Sequence, residues 1–147
     1  MTVDLVLNGR PVALDCESGE RLADVLRREG LRSVRTTCGI GVCGSCTVLV
    51  DGEPLSGCLL LAAQVAGRAI TTVEGLGGED PVQRAFIDAH AYQCGWCTPG
   101  FVLTARWLLS ERPAPSDEEI VEALGGNLCR CGSYVKIVDA VRRAGGR

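Results

Sequence analysis

Cysteine is the residue type in this sequence with the clearest chemistry, because thiolates bind metal ions. The chain has nine cysteines. The first group consists of Cys38, Cys43 and Cys46, which are spaced x4 and x2, with Cys58 further along the chain. This spacing is typical of plant-type 2Fe–2S sites, and it favours such a cluster over a structural zinc ion.

Glycine residues surround the first cysteine group. Gly39, Gly41 and Gly44 allow the unusual dihedral angles with which a loop can approach a compact cluster and point its N–H groups at sulfur. The same residues also match the dinucleotide-binding pattern G-x-G-x-x-G. That fingerprint must follow a strand and open a helix, whereas this segment lies among cysteines and leads into the β-branched run 47–50. We therefore interpret it as a metal-binding loop.

The second group combines Cys94-x2-Cys97 with Cys129-x-Cys131. Each pair stands just before a predicted helix, where free N–H groups and the positive end of the helix dipole suit an anionic, thiolate-bound centre. Two such loops can face each other and close one four-cysteine site. On spacing alone, zinc and a 2Fe–2S cluster are equally possible here.

The composition is that of an ordinary globular protein, with 46% hydrophobic residues and a net charge of −3 in 147 residues. The mild acidity argues against a nucleic-acid partner, which requires basic surfaces. No apolar stretch approaches the length of a membrane span, and the first residues lack the pattern of a signal peptide. We therefore expect a cytoplasmic protein, in which nine cysteines indicate metal binding rather than disulfides.

Three other residues invite a functional interpretation. Cys16 lies on the inward phase of a predicted strand, so we expect a buried structural residue rather than a ninth ligand or a redox sensor. His90, the single histidine, is expected at the surface or at a helix cap. Trp96, between two candidate ligands, is expected to pack over the second site rather than to mark a partner interface.

The first half of the chain is β-rich. Apolar and polar residues alternate in its early segments, and Asn8-Gly9 between two of them predicts a tight hairpin, as does Asp51-Gly52 later. We expect strands over 3–7, 12–16, 47–50 and 70–73, and a helix over 18–29.

Helical signals dominate the second half, after a glycine-rich break over 74–78. Asp80 with Gln83, and Ser116 with Glu119, predict capping boxes, and Thr98-Pro99 predicts a third helix start. A last helix is expected over 134–143. The sequence thus predicts an α+β protein of two domains, 1–76 and 77–147.

Three segments resemble motifs of one known family. They are residues 37–48 (TCGIGVCGSCTV), 92–100 (YQCGWCTPG) and 126–131 (GNLCRC). The first resembles the ferredoxin-type loop, and the others resemble the second-cluster loops, of the small iron–sulfur subunits of the xanthine-oxidase family of molybdenum hydroxylases. The resemblance covers nearly the whole chain, and it implies 2Fe–2S clusters at both sites.

The resemblance also implies a fold and a role. The fold would be an N-terminal β-grasp, plant-type ferredoxin-like domain followed by a C-terminal four-helix bundle. The family's large subunit binds a molybdenum–molybdopterin cofactor, and this chain would relay electrons from it to FAD on a medium subunit, or to another acceptor. Gln93 and Cys131 match family positions beside the pterin cofactor, to which the helical-domain cluster would be nearer.

The sequence departs from the family pattern in two places. Gly132-Ser133 follow Cys131 where most members have Thr-Gly, which puts the hydrogen bonding there, but not the cluster, in question. Ser45 stands where alanine is frequent. Two alternatives to the relay subunit are a free-standing two-cluster carrier and a zinc-stabilised interaction module. No residue is a good candidate for acid–base or nucleophilic catalysis.

Overall fold

One mixed sheet forms the core of the first half of the chain. In the computed structural model, which describes residues 1–146, its strands are β1 (Thr2–Leu7), β2 (Arg10–Asp15), β3 (Thr47–Val50), β4 (Glu53–Ser56) and β5 (Ala69–Thr71). Their order is β2-β1-β5-β3-β4. β1 pairs in parallel with β5, and the other neighbouring pairs are antiparallel.

Both predicted hairpins are confirmed. Asn8 and Gly9 take φ angles of 50° and 79°, and Asp51 and Gly52 take 51° and 92°. Positive φ at both central residues gives the turn a twist that matches the twist of the flanking strands. The predicted strand over 70–73 is wrong at its end, because β5 stops at Thr71 and a 3-10 turn begins at Val73.

Helix α1 (Leu22–Arg28) begins four residues later than the predicted helix over 18–29. Arg21 is extended, with φ −71° and ψ 139°, and it bridges to Leu61. The N–H of Leu22 donates to the carbonyl of Leu60 at 2.8 Å. These main-chain contacts come from a distant segment and hold the preceding residues out of the helix. The face of α1 that packs against the sheet consists of Leu22, Ala23, Val25 and Leu26.

Four helices make up the second half. They are α2 (Pro81–Asp88), α3 (Thr98–Glu111), α4 (Asp117–Ala123) and α5 (Tyr134–Ala144). The capping boxes of Asp80 and Ser116 are confirmed. The prediction that Thr98 caps α3 is wrong: Cys97 is the N-cap residue, and Thr98 is already the first helical residue. The last residue of the predicted domain 77–147 lies outside the described residues.

Each half has its own hydrophobic core, one between the sheet and α1 and one among the four helices. The halves also touch, since α3 packs against β3 and β4. In the region of the predicted break, Glu74 accepts a hydrogen bond of 2.9 Å from the N–H of Ser33. Among the described residues, no helix is long and apolar enough to cross a membrane.

Candidate metal centres

The first cysteine group is assembled from a loop and a strand end. Cys38, Cys43 and Cys46 lie on the loop between α1 and β3, and Cys58 follows β4. The side chains interact as two pairs, Cys38 with Cys43 and Cys46 with Cys58. A two-iron cluster needs two thiolates at each iron, so the pairing fits one pair of cysteines to each iron.

Main-chain N–H groups surround the more exposed pair. The N–H groups of Val42 and Cys43 each lie 3.4 Å from the sulfur of Cys38. Together with the N–H of Ile40, which has the largest effect, they lower the pKa of the Cys38 thiol to about 6. Hydrogen bonds to the charged form favour a thiolate, which is the form that binds metal.

The inner pair is buried. Burial raises the pKa of Cys46 to about 12, while the N–H of Cys58 lies 3.4 Å from its sulfur. A buried thiolate is unfavourable unless a cation or a cluster compensates its charge. The donor set therefore fits a bound metal centre, which would hold Cys46 as a thiolate.

The glycines of the loop are required by its conformation and by its close packing. Gly41 and Gly44 have φ angles of 77° and 69°. A Cβ at Gly41 would overlap the side chain of Leu59, and one at Gly44 would lie 2.6 Å from the carbonyl of Gly126. The unusual dihedral angles predicted for these glycines are thus confirmed. At Gly44 the close packing is against the other cysteine-bearing half of the protein.

The second group lies at the N-terminal ends of two helices. Cys94 and Cys97 precede α3, and Cys129 and Cys131 precede α5. The predicted position just before a helix is confirmed for both pairs. The side chains interact across the two loops, Cys94 with Cys131 and Cys97 with Cys129. Each interacting pair takes one cysteine from each loop, so a bound cluster would join α3 to α5.

The second group also has N–H donors. The N–H of Trp96 lies 3.5 Å from the sulfur of Cys94 and lowers its pKa. Burial acts to raise the pKa of Cys129, but hydrogen bonds outweigh it, so the pKa of Cys129 is lowered. The largest of these contributions comes from the N–H of Ser133, which lies 3.5 Å from the sulfur. Burial raises the pKa of Cys97 to about 12. As in the first group, N–H donors lower the pKa of some of the thiols while burial raises that of another.

The two groups meet. A cavity of about 390 Å³ is lined by cysteines of both, Cys43 from the first and Cys94, Cys97 and Cys129 from the second. The N–H of Leu128 donates to the carbonyl of Cys43 at 2.9 Å. Two redox centres bound at these cysteines would be immediate neighbours, an arrangement that permits electron exchange between them.

A single metal ion requires a different geometry of its ligands from a centre with two metal atoms. Four thiolates must then surround one point at about 2.3 Å. Within residues 1–146, no three His, Cys, Asp or Glu side chains form such a one-ion group. The paired arrangement of both groups instead suits a centre with two metal atoms.

The other predicted cofactor-binding residue, Gln93, lies beside the second group. Its Nε2 atom donates to the carbonyl of Cys131 at 3.4 Å, and its side chain is exposed. Gln93 and Cys131 thus lie together at the surface, where a group held by another subunit could reach both.

The residues that join the halves were the ones that sequence reasoning missed. Asn127 was not singled out, although it is buried and its Nδ2 donates to the carbonyl of Gly44 at 3.2 Å. Thr37 accepts a hydrogen bond from Trp96. A polar residue two positions before a cysteine, as in Asn127-Leu128-Cys129, was the available signal. Trp96 is 48% exposed, bridges the two halves through its bond to Thr37, and also lines the cavity beside Cys94, Cys97 and Cys129.

Cys16 and His90 lie away from both groups. Cys16 is buried at the end of the second strand, as predicted, and lines a larger cavity of about 980 Å³ between β2 and α1. None of the eight cysteines of the two groups lines that cavity, so its size does not make it the site of the cysteine chemistry. His90 is exposed just after α2, as expected of a surface residue.

Comparison with known proteins identifies both halves. The family model of the 2Fe-2S iron-sulfur cluster binding domain matches residues 5–70, and that of a 2Fe-2S binding domain matches residues 72–142. The nicotinate dehydrogenase small FeS subunit of Eubacterium barkeri is 47% identical over 98% of this chain and 94% of its own length. The xanthine dehydrogenase iron-sulfur-binding subunit of Escherichia coli is 44% identical over 96% of this chain and 92% of its own.

Solved structures also show similarity to this chain. Quinoline 2-oxidoreductase from Pseudomonas putida 86 has a chain with 47% identity and a TM-score of 0.93, covering 97% of this chain and 90% of that one. The aldehyde oxidoreductase from Desulfovibrio desulfuricans superposes with a TM-score of 0.94 and 41% identity. It covers 99% of this chain, which corresponds to 17% of the longer enzyme.

Proposed function

The chain belongs to the small iron–sulfur subunits of the xanthine-dehydrogenase family of molybdenum hydroxylases. From this membership we propose which cysteines hold the clusters that carry its electrons. Cys38, Cys43, Cys46 and Cys58 would hold one 2Fe–2S cluster. The other would be held by Cys94, Cys97, Cys129 and Cys131. The clusters supply one-electron redox chemistry, while the chain supplies ligands, N–H donors and burial.

The observation that carries the proposal is the direct contact of the two cysteine groups. Cysteines of both groups line one cavity, and the N–H of Leu128 bonds to the carbonyl of Cys43. A carrier with a single electron to deliver has no need for the second site. A relay needs both sites, close together.

The proposal gives the relay a direction. Electrons from a molybdopterin cofactor on the large subunit would enter at the second group, where Gln93 and Cys131 lie at the surface. They would leave from the first group, whose loop exposes Ile40 and Val42 to solvent. The acceptor there would be FAD on a medium subunit, or another one-electron acceptor. The chain performs no substrate chemistry, so the substrate is set by the large subunit.

We assign the first half, 1–76, as a β-grasp domain and the second, 77–147, as a four-helix bundle. The strand order with a parallel β1–β5 pair at the centre, and α1 packed on one face, support the first assignment. The shared core of α2 to α5 supports the second. The cytoplasm is the proposed compartment, because a free-thiol donor set survives where thiols stay reduced.

The test is EPR spectroscopy on the dithionite-reduced complex, purified anaerobically with its partner subunits, with iron and molybdenum measured on the same sample. We expect two distinct S = 1/2 signals, two iron atoms per signal, and molybdenum in equal amount to this chain. Both signals without molybdenum would assign a free carrier instead. A colourless protein that contains zinc and gives no EPR signal would exclude electron transfer.

A further inference from the structure

The two cysteine-bearing loops are joined through their main chains at one point. The N–H of Leu128 donates to the carbonyl of Cys43 at 2.9 Å. Cys43 is a candidate ligand of the first cluster, and Leu128 directly precedes Cys129, a candidate ligand of the second. One hydrogen bond thus connects the main chain of a ligand at one site to the residue next to a ligand at the other.

This connection defines a short route between the sites. From the sulfur of Cys43 it follows the side chain to the carbonyl group, crosses the hydrogen bond, and runs along the main chain of Leu128 to Cys129. Electronic coupling passes more effectively through covalent and hydrogen bonds than through an empty gap of equal length. Leu128 and Cys43 also border the cavity that the two groups share.

A second hydrogen bond runs beside the first. Asn127 is only 4% exposed, and its Nδ2 donates to the carbonyl of Gly44 at 3.2 Å. Asn127 precedes Leu128, and Gly44 follows Cys43, so the two bonds lie one residue apart on both loops. A buried amide that lost this partner would be destabilised. The bond therefore fixes the separation and register of the two loops.

Close packing leaves these loops no freedom to slide. A Cβ at Gly100, near the start of α3, would overlap the carbonyl oxygen of Gly44 and lie 3.0 Å from Nδ2 of Asn127. Gly44 has a φ of 69°, and a Cβ there would lie 2.6 Å from the carbonyl of Gly126. Asn127 is thus held between main-chain atoms of both halves.

We propose that the Cys43–Leu128 hydrogen bond is the bridge by which electrons pass between the two clusters, and that Asn127 is the positioning residue that keeps it formed. The proposal rests on the proposed function and deepens it by assigning the route. Each transfer would move one electron from the cluster that Cys129 would help to hold to the cluster that Cys43 would help to hold. No covalent bond breaks and no proton moves.

A competing route exists through side chains. It would leave Cys38 through its neighbour Thr37, cross to the indole of Trp96, and return along the main chain to Cys97. This route passes through two side chains, one of them a long indole, before it reaches a ligand. The main-chain route through Cys43 is shorter in bonds, and both of its ligand residues, Cys43 and Cys129, are buried.

The experiment measures electron transfer between the clusters in the complex. A pulse of radiolytic reductant delivers less than one electron per chain, and rapid-freeze EPR follows how the electron distributes between the two signals. Asn127→Ala removes the positioning amide. Thr47→Val is the matched control, because Thr47 Oγ1 also donates to the carbonyl of Gly44, at 2.7 Å, but from β3 within the first half.

We expect Asn127→Ala to slow the transfer severalfold while both signals and both reduction potentials stay as in the unaltered protein, and Thr47→Val to leave the rate unchanged. Replacing the amide of Leu128 by an ester, which removes only its N–H, should slow the transfer as well. If Asn127→Ala loses a cluster, the transfer rate of the ester variant shows whether the Cys43–Leu128 hydrogen bond is the bridge.

Three outcomes would overturn the proposal. They are an unchanged rate in the ester variant, an equal slowing in Thr47→Val, and a slowing in Trp96→Phe but not in Asn127→Ala. The last would assign the route to the indole. The absence of a second EPR signal in the unaltered complex would instead refute the proposed function itself, so the two failures are distinguishable.

Discussion

The indole Nε1 of Trp96 donates a hydrogen bond of 2.8 Å to the hydroxyl of Thr37. Trp96 lies between Cys94 and Cys97, and Thr37 directly precedes Cys38, so this bond ties the loop of one cysteine group to the loop of the other. Arg35 strengthens the same junction, with its guanidinium 4.9 Å from the centre of the Trp96 ring. Together with Asn127, these residues make the two halves one unit around the candidate clusters.

Trp96→Phe tests this junction, because it keeps an aromatic ring but removes the N–H donor. A hydrogen bond of this kind contributes about 1 kcal/mol, so we expect the urea midpoint for anaerobic loss of visible absorbance to fall modestly. Thr37→Val removes the same bond from the other side. The double variant should then be little worse than either single one, and fully additive losses would contradict a direct interaction.

Arg35→Gln is expected to lower the reduction potential of the second cluster. Arg35 donates to the carbonyl of Trp96 at 2.7 Å and also to that of Gly95, which places a positive charge beside the Cys94–Cys97 loop. A nearby cation favours the reduced, more negative cluster. The shift should be on the order of 60 mV or less, where 59 mV is tenfold in a one-electron equilibrium.

An EPR-monitored redox titration measures this shift, and two further variants interpret it. Arg35→Lys retains the charge, so it should recover most of the potential. Arg32→Gln removes an exposed charge that lines the same surface pocket. A shift in Arg32→Gln as large as in Arg35→Gln would show that only the net surface charge matters.

Serine substitutions test the ligand assignment one site at a time. We expect Cys58→Ser to remove or alter only the signal of the first cluster, and Cys97→Ser only that of the second, since each belongs to a separate interacting set. Cys16→Ser is the control, because Cys16 is equally buried but belongs to neither group. Iron content and EPR intensity measure the outcome, and loss of a signal in Cys16→Ser would require a revised ligand set.

Gly44→Ala is expected to destabilise the junction between the two halves by more than the cost of placing an alanine at a positive φ angle. At Gly44 the φ angle is 69°, and an added Cβ would lie 2.6 Å from the carbonyl of Gly126 and 2.9 Å from Cγ of Asn127. Gly52→Ala is matched to it, with φ 92° and open space around the Cβ. It should lose only about 1–2 kcal/mol, from the left-handed conformation.

Thermal loss of the visible absorption bands compares the two glycine variants. Gly44→Ala should lose them at a clearly lower temperature than Gly52→Ala, with the first-cluster signal affected most. Equal effects would mean that the loops can separate without harm, and that the close approach at Gly44 has no structural consequence.

Glu74→Gln is expected to reduce the free energy of unfolding above about pH 4.5. The variant should then lose less stability than the unaltered protein as the pH is lowered further. Partial shielding from water acts to raise the pKa of Glu74, but hydrogen bonds from the hydroxyl and N–H of Ser33 outweigh it and lower the pKa below its ordinary value of 4.5. A lowered pKa stabilises the folded protein at pH values above the pKa of the same group in the unfolded chain. This contribution disappears as the pH falls through the pKa of the group in the folded protein.

Denaturant unfolding between pH 3.5 and pH 7, with visible absorbance and far-UV circular dichroism recorded together, measures the Glu74 effect. Glu53→Gln, at an exposed position on β4, is the control and should follow the unaltered protein. A parallel loss of stability at every pH in Glu74→Gln would mean that the carboxylate charge does not contribute.

The sequence by itself determined the local features of this protein. The turns at Asn8-Gly9 and Asp51-Gly52 and the capping box at Asp80 follow from residues a few positions apart, because a turn or a cap is decided by neighbouring dihedral angles and side chains. The cysteine spacing, with the motifs around it, likewise sufficed to place the chain in its family. The assignment of individual ligands stays a prediction that the serine variants test.

Only the tertiary structure decided how the two halves meet. The bonds from Leu128 to Cys43, from Asn127 to Gly44 and from Trp96 to Thr37 join residues far apart in sequence, and no local pattern encodes them. The late start of α1 has the same origin, since Leu60 captures the N–H of Leu22. The contacts between the halves depend on the packing of α3 against the sheet, which brings distant groups within hydrogen-bonding distance.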